Sequence, residues 1–180
     1  MLVLKLKTLL RTALLLALCI ASQFLKNTSV YITGPIINAI LLLAVFSCGA
    51  WSGAAIALIT PLTSWYITGS PLMTALPLIV PCVMGGNLIL VLTAALAHRC
   101  SRRVGQLAVL AAGSGCKALF MYLTIVQVIF PLLGSTTALP AQVFAAARIT
   151  FSVTQLLTAL IGSAVVWLIW PRLNRALERK

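Results

Sequence analysis

Between Thr12 and His98 the sequence carries a single charged residue, Lys26. A stretch of that length without charge cannot build a water-facing surface. Soluble domains draw about a quarter of their residues from Asp, Glu, Lys and Arg, whereas here 8% are charged and 62% are hydrophobic. The mean hydropathy is +1.13. A soluble enzyme and a disordered chain are both excluded, since apolar surface on this scale demands burial. Runs of about 20 apolar residues separated by short Gly, Pro, Ser and Asn breaks indicate membrane-spanning helices. Six are expected, at about 8–25, 36–48, 54–67, 72–97, 107–130 and 141–170. They nearly exhaust the 180 residues, so the expected fold is all-α: one compact six-helix transmembrane domain over residues 1–180.

The charge is lopsided, with 13 Lys and Arg against one acid and a formal net charge of +12. Nucleic-acid binding is a poor account of it, because the basic residues flank apolar spans and form no groove interleaved with aromatics. Membrane orientation is the better one. With six spans, ten cations fall on one side: Lys5, Lys7, Arg11, Arg99, Arg102, Arg103, Arg172, Arg175, Arg179 and Lys180. Lys26 alone falls on the other, and Lys117 and Arg148 lie within spans. Both termini are therefore expected in the cytoplasm, with Trp167 and Trp170 in the interfacial belt beside the basic tail. The first span begins like a secretory signal, but a cleaved signal would deliver only more apolar chain. Five cysteines show no metal-ligand spacing and read as small buried thiols.

Lys117 and Arg148 carry the functional argument. A charged side chain in the membrane costs about 2.5–3.5 kcal/mol on insertion scales. The only acid, Glu178, sits in the tail and reaches neither. An unpaired embedded cation needs carbonyls, water or an anion from outside. In the sixth span Gln142, Ala145, Arg148, Ser152, Gln155, Ala159 and Gly162 recur every three or four residues, as do Gly113, Lys117, Phe120, Thr124 and Gln127 in the fifth. Such polar, small stripes face a bundle interior. Asn38 and Asn87 add amides, Thr60, Ser64 and Thr68 a face of the third span, and Pro61, Pro77, Pro81 and Tyr66 an irregular wall. The expected site is a pocket for a negative group, with Arg148, Lys117, Asn38, Asn87, Tyr66, Gln127 and Gln142 as candidates. The opposite reading has Lys117 snorkelling and the rest making structural cross-helix bonds.

Acid–base catalysis has little to work with. The one His, His98, sits in a basic loop, and no nucleophile set, zinc cluster or nucleotide loop is present. Neither metal nor cofactor is expected, and an enzyme is improbable. Intramembrane carboxylates that would couple transport to protons or sodium are missing too. Without a nucleotide motif, energy would have to come from partner chains.

The run Ala13-Leu14-Leu15-Leu16-Ala17, the segment Ile32 to Ala39 (ITGPIINA) and Leu58-Ile59-Thr60-Pro61-Leu62, in that order and with this topology, resemble the substrate-binding S-component of energy-coupling factor (ECF) transporters. The resemblance spans essentially the whole chain. It implies a prokaryotic cell-membrane protein that captures a vitamin or vitamin precursor at the extracellular side and delivers it with a transmembrane T-component and two cytoplasmic ATPases. It also implies that Ala13 and Ala17, with Ala21 as an extension, contact the T-component, and that the loaded protein topples to release its ligand. The arginine and lysine suggest an anionic ligand, while the amides would also suit a neutral pyrimidine. Two other classes compete: an autonomous channel or facilitator, and a ligand-free membrane scaffold.

Overall fold

The computed structural model describes residues 2–25 and 29–178. Lys26, Arg179 and Lys180, which the sequence assigned to sides of the membrane, lie outside the described residues. Among those described, all regular structure is helical. Helix α1 covers Leu2–Gln23, α2 Val30–Cys48, α3 Ala50–Thr68, α4 Pro71–Ala75, α5 Ile79–Arg99 and α6 Arg103–Met121. The last continues through a π-helical segment, Tyr122–Ile129, the short α7, Phe130–Leu133, and a 3₁₀ turn, Gly134–Thr136. The final rod runs through α8, Ala141–Ile149, a π segment, Thr150–Thr154, and α9, Gln155–Glu178.

Among the described residues, five stretches are long and apolar enough to cross a membrane: Lys5–Gln23, Val30–Cys48, Ile79–Arg99, Arg103–Thr136 and Ala141–Leu177. The remaining long helix, α3, has 19 residues, as many as α2, but is diluted by Trp51, Ser52, Gly53, Pro61, Ser64 and Trp65. The long helices alternate in direction. The ends bearing Arg99, Arg103, Arg172 and Arg175 therefore gather at one end of the bundle, where Phe46, His98 and Trp170 form a cluster with ring centroids 5.1–5.9 Å apart.

Four of the differences from the expected boundaries have a local reason. The second helix starts at Val30 rather than Ile36, because Ser29 caps it: its Oγ accepts from Tyr31 N at 3.2 Å. Pro35 then sits near the helix start and forfeits a single backbone bond. The expected fourth span breaks at Leu76, whose φ of −128° and ψ of 75° lie outside the helical region, which is disfavoured for a residue preceding proline, here Pro77. The last two spans extend past residues 130 and 170, since Pro131 occupies a first-turn position of α7 and Pro171 is absorbed within α9.

Packing falls into two apolar clusters. One, toward the basic end, is built on Leu41, Leu42, Ile56, Leu90, Val91, Leu110 and Val166. The other joins Leu72, Met73, Ile79, Met121, Ile125, Phe130 and Phe151. Glycines let the helices approach closely between them. A Cβ on Gly34 would lie 2.7 Å from Thr158 Cγ2, and one on Gly162 2.8 Å from Asn38 Cβ and 3.0 Å from the Pro35 carbonyl oxygen. Thus α2 and α9 meet nearly backbone to backbone where Asn38 leaves its helix.

Candidate functional site

A cavity of about 290 Å³ opens between α2, α3, α4, α5, α6 and the α8–α9 rod. Val30, Ser70, Leu72, Met73 and Ala147 line it toward the end opposite the basic cluster, and Asn38, Thr60, Asn87 and Lys117 lie deepest. Along α2 the lining runs from Val30 to Asn38, a depth of about 12 Å at the helical rise. Thr33, Ile37 and Asn38 share that wall because the helix begins at Val30; read as part of a loop, Thr33 had no face to belong to.

Lys117 is 3% exposed. Its Nζ donates to Asn38 Oδ1 at 2.6 Å and to Asn87 Oδ1 at 2.8 Å. Each amide is held oxygen-inward by what its nitrogen does. Asn38 Nδ2 donates to Thr158 Oγ1 at 3.4 Å, and the Thr158 hydroxyl donates in turn to the Gln155 carbonyl at 3.3 Å. Asn87 Nδ2 donates to the Ala57 carbonyl at 3.5 Å. That carbonyl is available because its usual helical donor, four residues on, is Pro61, which has no N–H. The proline therefore shapes the site chemically as well as sterically: it supplies the acceptor that orients Asn87. The network places two dipoles against the ammonium and no counter-charge. The nearest acid in the sequence, Glu178, lies 16 residues beyond Gly162 along α9, about 24 Å at the helical rise.

Of the sequence candidates, Lys117, Asn38 and Asn87 come together. Arg148, Tyr66, Gln127 and Gln142 do not join them. Tyr66 is 91% exposed. Gln142 is exposed, and Gln127 is exposed with its amide donating to the Tyr122 hydroxyl. Arg148 is exposed in a separate, shallower depression beside Phe130, Ser135, Thr137 and Phe144. The cause is the π segment Thr150–Thr154. A π turn inserts an additional residue and rotates everything before it by about 100° relative to a 3.6-residue helix. Downstream of the segment the expected stripe holds, with Gln155 lining the cavity and Ala159 and Gly162 buried. Upstream, Ala147 and Phe151 turn inward where the even spacing put Arg148 and Ser152. The π segment Tyr122–Ile129 shifts the phase beyond Lys117, turning Gln127 out and leaving Ile125, Val126 and Ile129 as the buried side. No hydropathy period announces such a segment. Thr60 and Ser64 line the cavity as their spacing implied, while the Thr68 hydroxyl closes on the Ser64 carbonyl at 2.7 Å.

Helix α1 stands beside this site. Cys19, Ser22 and Gln23 are buried, with Gln23 Nε2 donating to the Thr60 carbonyl at 3.1 Å. Ala13, Ala17 and Ala21 lie exposed on another face, flanked by the exposed Leu14 and Leu18. Among the described residues no group of three His, Cys, Asp or Glu could hold a metal ion.

Residues 7–171 match the family model described as ECF transporter, substrate-specific component. No curated protein and no solved structure matches the chain.

Proposed function

Since the chain belongs to the family of ECF transporter substrate-specific components, we propose that the Lys117 cavity is where it captures its substrate, and that the substrate is a small anion of vitamin or vitamin-precursor type. The family is one of transport components, not of enzymes, and its members work with a T-component and ATPase modules. The observation that carries the reading is the buried ammonium of Lys117, seated on two amide oxygens at the deep end of a cavity without a carboxylate. A volume of about 290 Å³ sits at the lower edge of the range for drug-sized ligands, which suits a vitamin-sized solute.

In this reading the six long helices all cross the cell membrane of a prokaryote as one domain. The basic end and both termini are cytoplasmic, and the cavity opens to the extracellular side. The distribution of cations supports that orientation. The Ala13, Ala17 and Ala21 face of α1 docks the T-component, which works with two ATPases. Beneath Asn38 and Lys117 the bundle is filled by the Leu41, Leu42, Ile56 and Leu90 cluster; a cavity that ends blind favours a subunit that hands its load on over an autonomous channel.

The test is to purify wild-type protein, Lys117→Met and Arg148→Ala, and to identify any co-purified small molecule by native mass spectrometry. Wild type and Arg148→Ala are expected to carry the same anionic species, and Lys117→Met to lose it. Equal occupancy of Lys117→Met and wild type would refute the assignment.

A further inference from the structure

The donors and acceptors around Lys117 define the ligand more narrowly. Resting on the capture reading above, we infer that the substrate is a monocarboxylate whose otherwise apolar body carries hydroxyl or N–H donors, its carboxylate meeting Lys117 and its donors meeting the threonine walls.

Charge sets the first limit. Lys117 is the single charged side chain among the described residues lining the cavity. One negative charge neutralises it. A phosphate monoester brings nearly two and would leave an excess charge buried, which is costly without a partner. A zwitterion would need a carboxylate for its own cation, and the lining offers none.

Donor supply sets the second. An ammonium has three N–H groups; two go to Asn38 and Asn87, so one remains. The amide nitrogen of each Asn spends one of its two N–H groups, on Thr158 Oγ1 and on the Ala57 carbonyl. The three threonine hydroxyls of the lining are committed as donors to backbone carbonyls: Thr60 to Ile56 at 2.6 Å, Thr33 to Ser29 at 3.2 Å and Thr150 to Ala146 at 3.0 Å. Apart from the one ammonium N–H, the side-chain amide donors that remain, on Asn38, Asn87 and Gln155, are neutral. With one charged donor and otherwise neutral amides, the deep end suits a carboxylate of one charge and two oxygens better than a phosphoryl group with nearly two charges and three strongly accepting oxygens. Those same threonine oxygens retain lone pairs, so the walls above the floor accept hydrogen bonds. A ligand body presenting O–H or N–H groups would satisfy them, and Leu72, Met73, Val83 and Phe151 cover its apolar parts.

A matched six-carbon series tests this: hexanoate, 6-hydroxyhexanoate, hexanamide, hexyl phosphate and 6-aminohexanoate, assayed for binding to purified protein in nanodiscs by thermal shift and competition. Hexanoate should bind about tenfold or more tightly than hexanamide, the margin of a charge-assisted hydrogen bond. 6-Hydroxyhexanoate should bind more tightly still, and hexyl phosphate and 6-aminohexanoate more weakly than hexanoate. In Lys117→Met the acids should lose their advantage. Hexyl phosphate or hexanamide equalling hexanoate, or no binding by either acid, overturns the ligand class. If the phosphate leads yet its binding vanishes in Lys117→Met, the class falls and the cavity assignment stands. Acid binding that survives unchanged in Lys117→Met removes the cavity assignment itself.

Discussion

Replacing Gly162 by Ala adds one methyl group at the closest approach of α2 and α9. The new Cβ would lie 2.8 Å from Asn38 Cβ and 3.0 Å from both Ala39 N and the Pro35 carbonyl oxygen. Two of those three neighbours are backbone, so no side-chain rotation relieves the clash. Restoring an ordinary contact moves α2 outward by roughly 0.6 Å, and overpacking of this kind costs about 1–3 kcal/mol. The displacement is transmitted directly to the site, because Asn38 rides on the shifted segment. Its 2.6 Å bond from Lys117 would stretch past the about 2.7–2.9 Å typical of a charge-assisted pair. Gly115 provides the control. It lies in α6 two residues before Lys117, and a Cβ there meets nothing within 4 Å. Gly115→Ala should therefore be neutral, or stabilising by up to about 1 kcal/mol through helix propensity. Thermal unfolding in nanodiscs, paired with ligand titration, separates the two. Gly162→Ala is expected to lower stability and weaken binding about tenfold, while Gly115→Ala does neither. Equal behaviour of the two variants would show that the α2–α9 contact does not set the geometry of Asn38.

Three further outcomes follow from named contacts. Pro61→Ala restores a backbone donor to the Ala57 carbonyl and so competes with Asn87 Nδ2; substrate binding should fall several-fold with no loss of thermal stability, and unchanged affinity would dismiss the proline's orienting role. At the basic end Pro171 likewise leaves the Trp167 carbonyl without its helical donor, and Arg103 Nη2 takes it at 2.6 Å with the guanidinium 4.5 Å from the Trp167 ring centroid. Arg103→Lys should cost about 0.5–1 kcal/mol in unfolding free energy, and less in a Pro171→Ala background, where the helix supplies its own donor; an identical cost in both backgrounds would disprove the coupling. Ala17→Trp, on the exposed face of α1, should abolish pull-down of the T-component while leaving small-molecule binding intact, and undiminished pull-down would exclude that face as the dock.

The helical, membrane-embedded character was written in the sequence, because apolar run length and the placement of Arg99, Arg103, Arg172 and Arg175 are properties of the chain read in one dimension. That Lys117, Asn38 and Asn87 needed partners was equally legible: polar atoms in an apolar run must be satisfied, and these three meet one another. Which residues share a wall was decided only in three dimensions. The π segment Thr150–Thr154 rotates the upstream half of its stripe, turning Arg148 out and Phe151 in, and the one at Tyr122–Ile129 shifts the phase beyond Lys117, turning Gln127 out. An inserted residue of this kind leaves the composition of a helix untouched and changes only its phase. Sequence periodicity assumes that phase, whereas the packing of the two π segments against each other, α5 and α6 is where it is expressed.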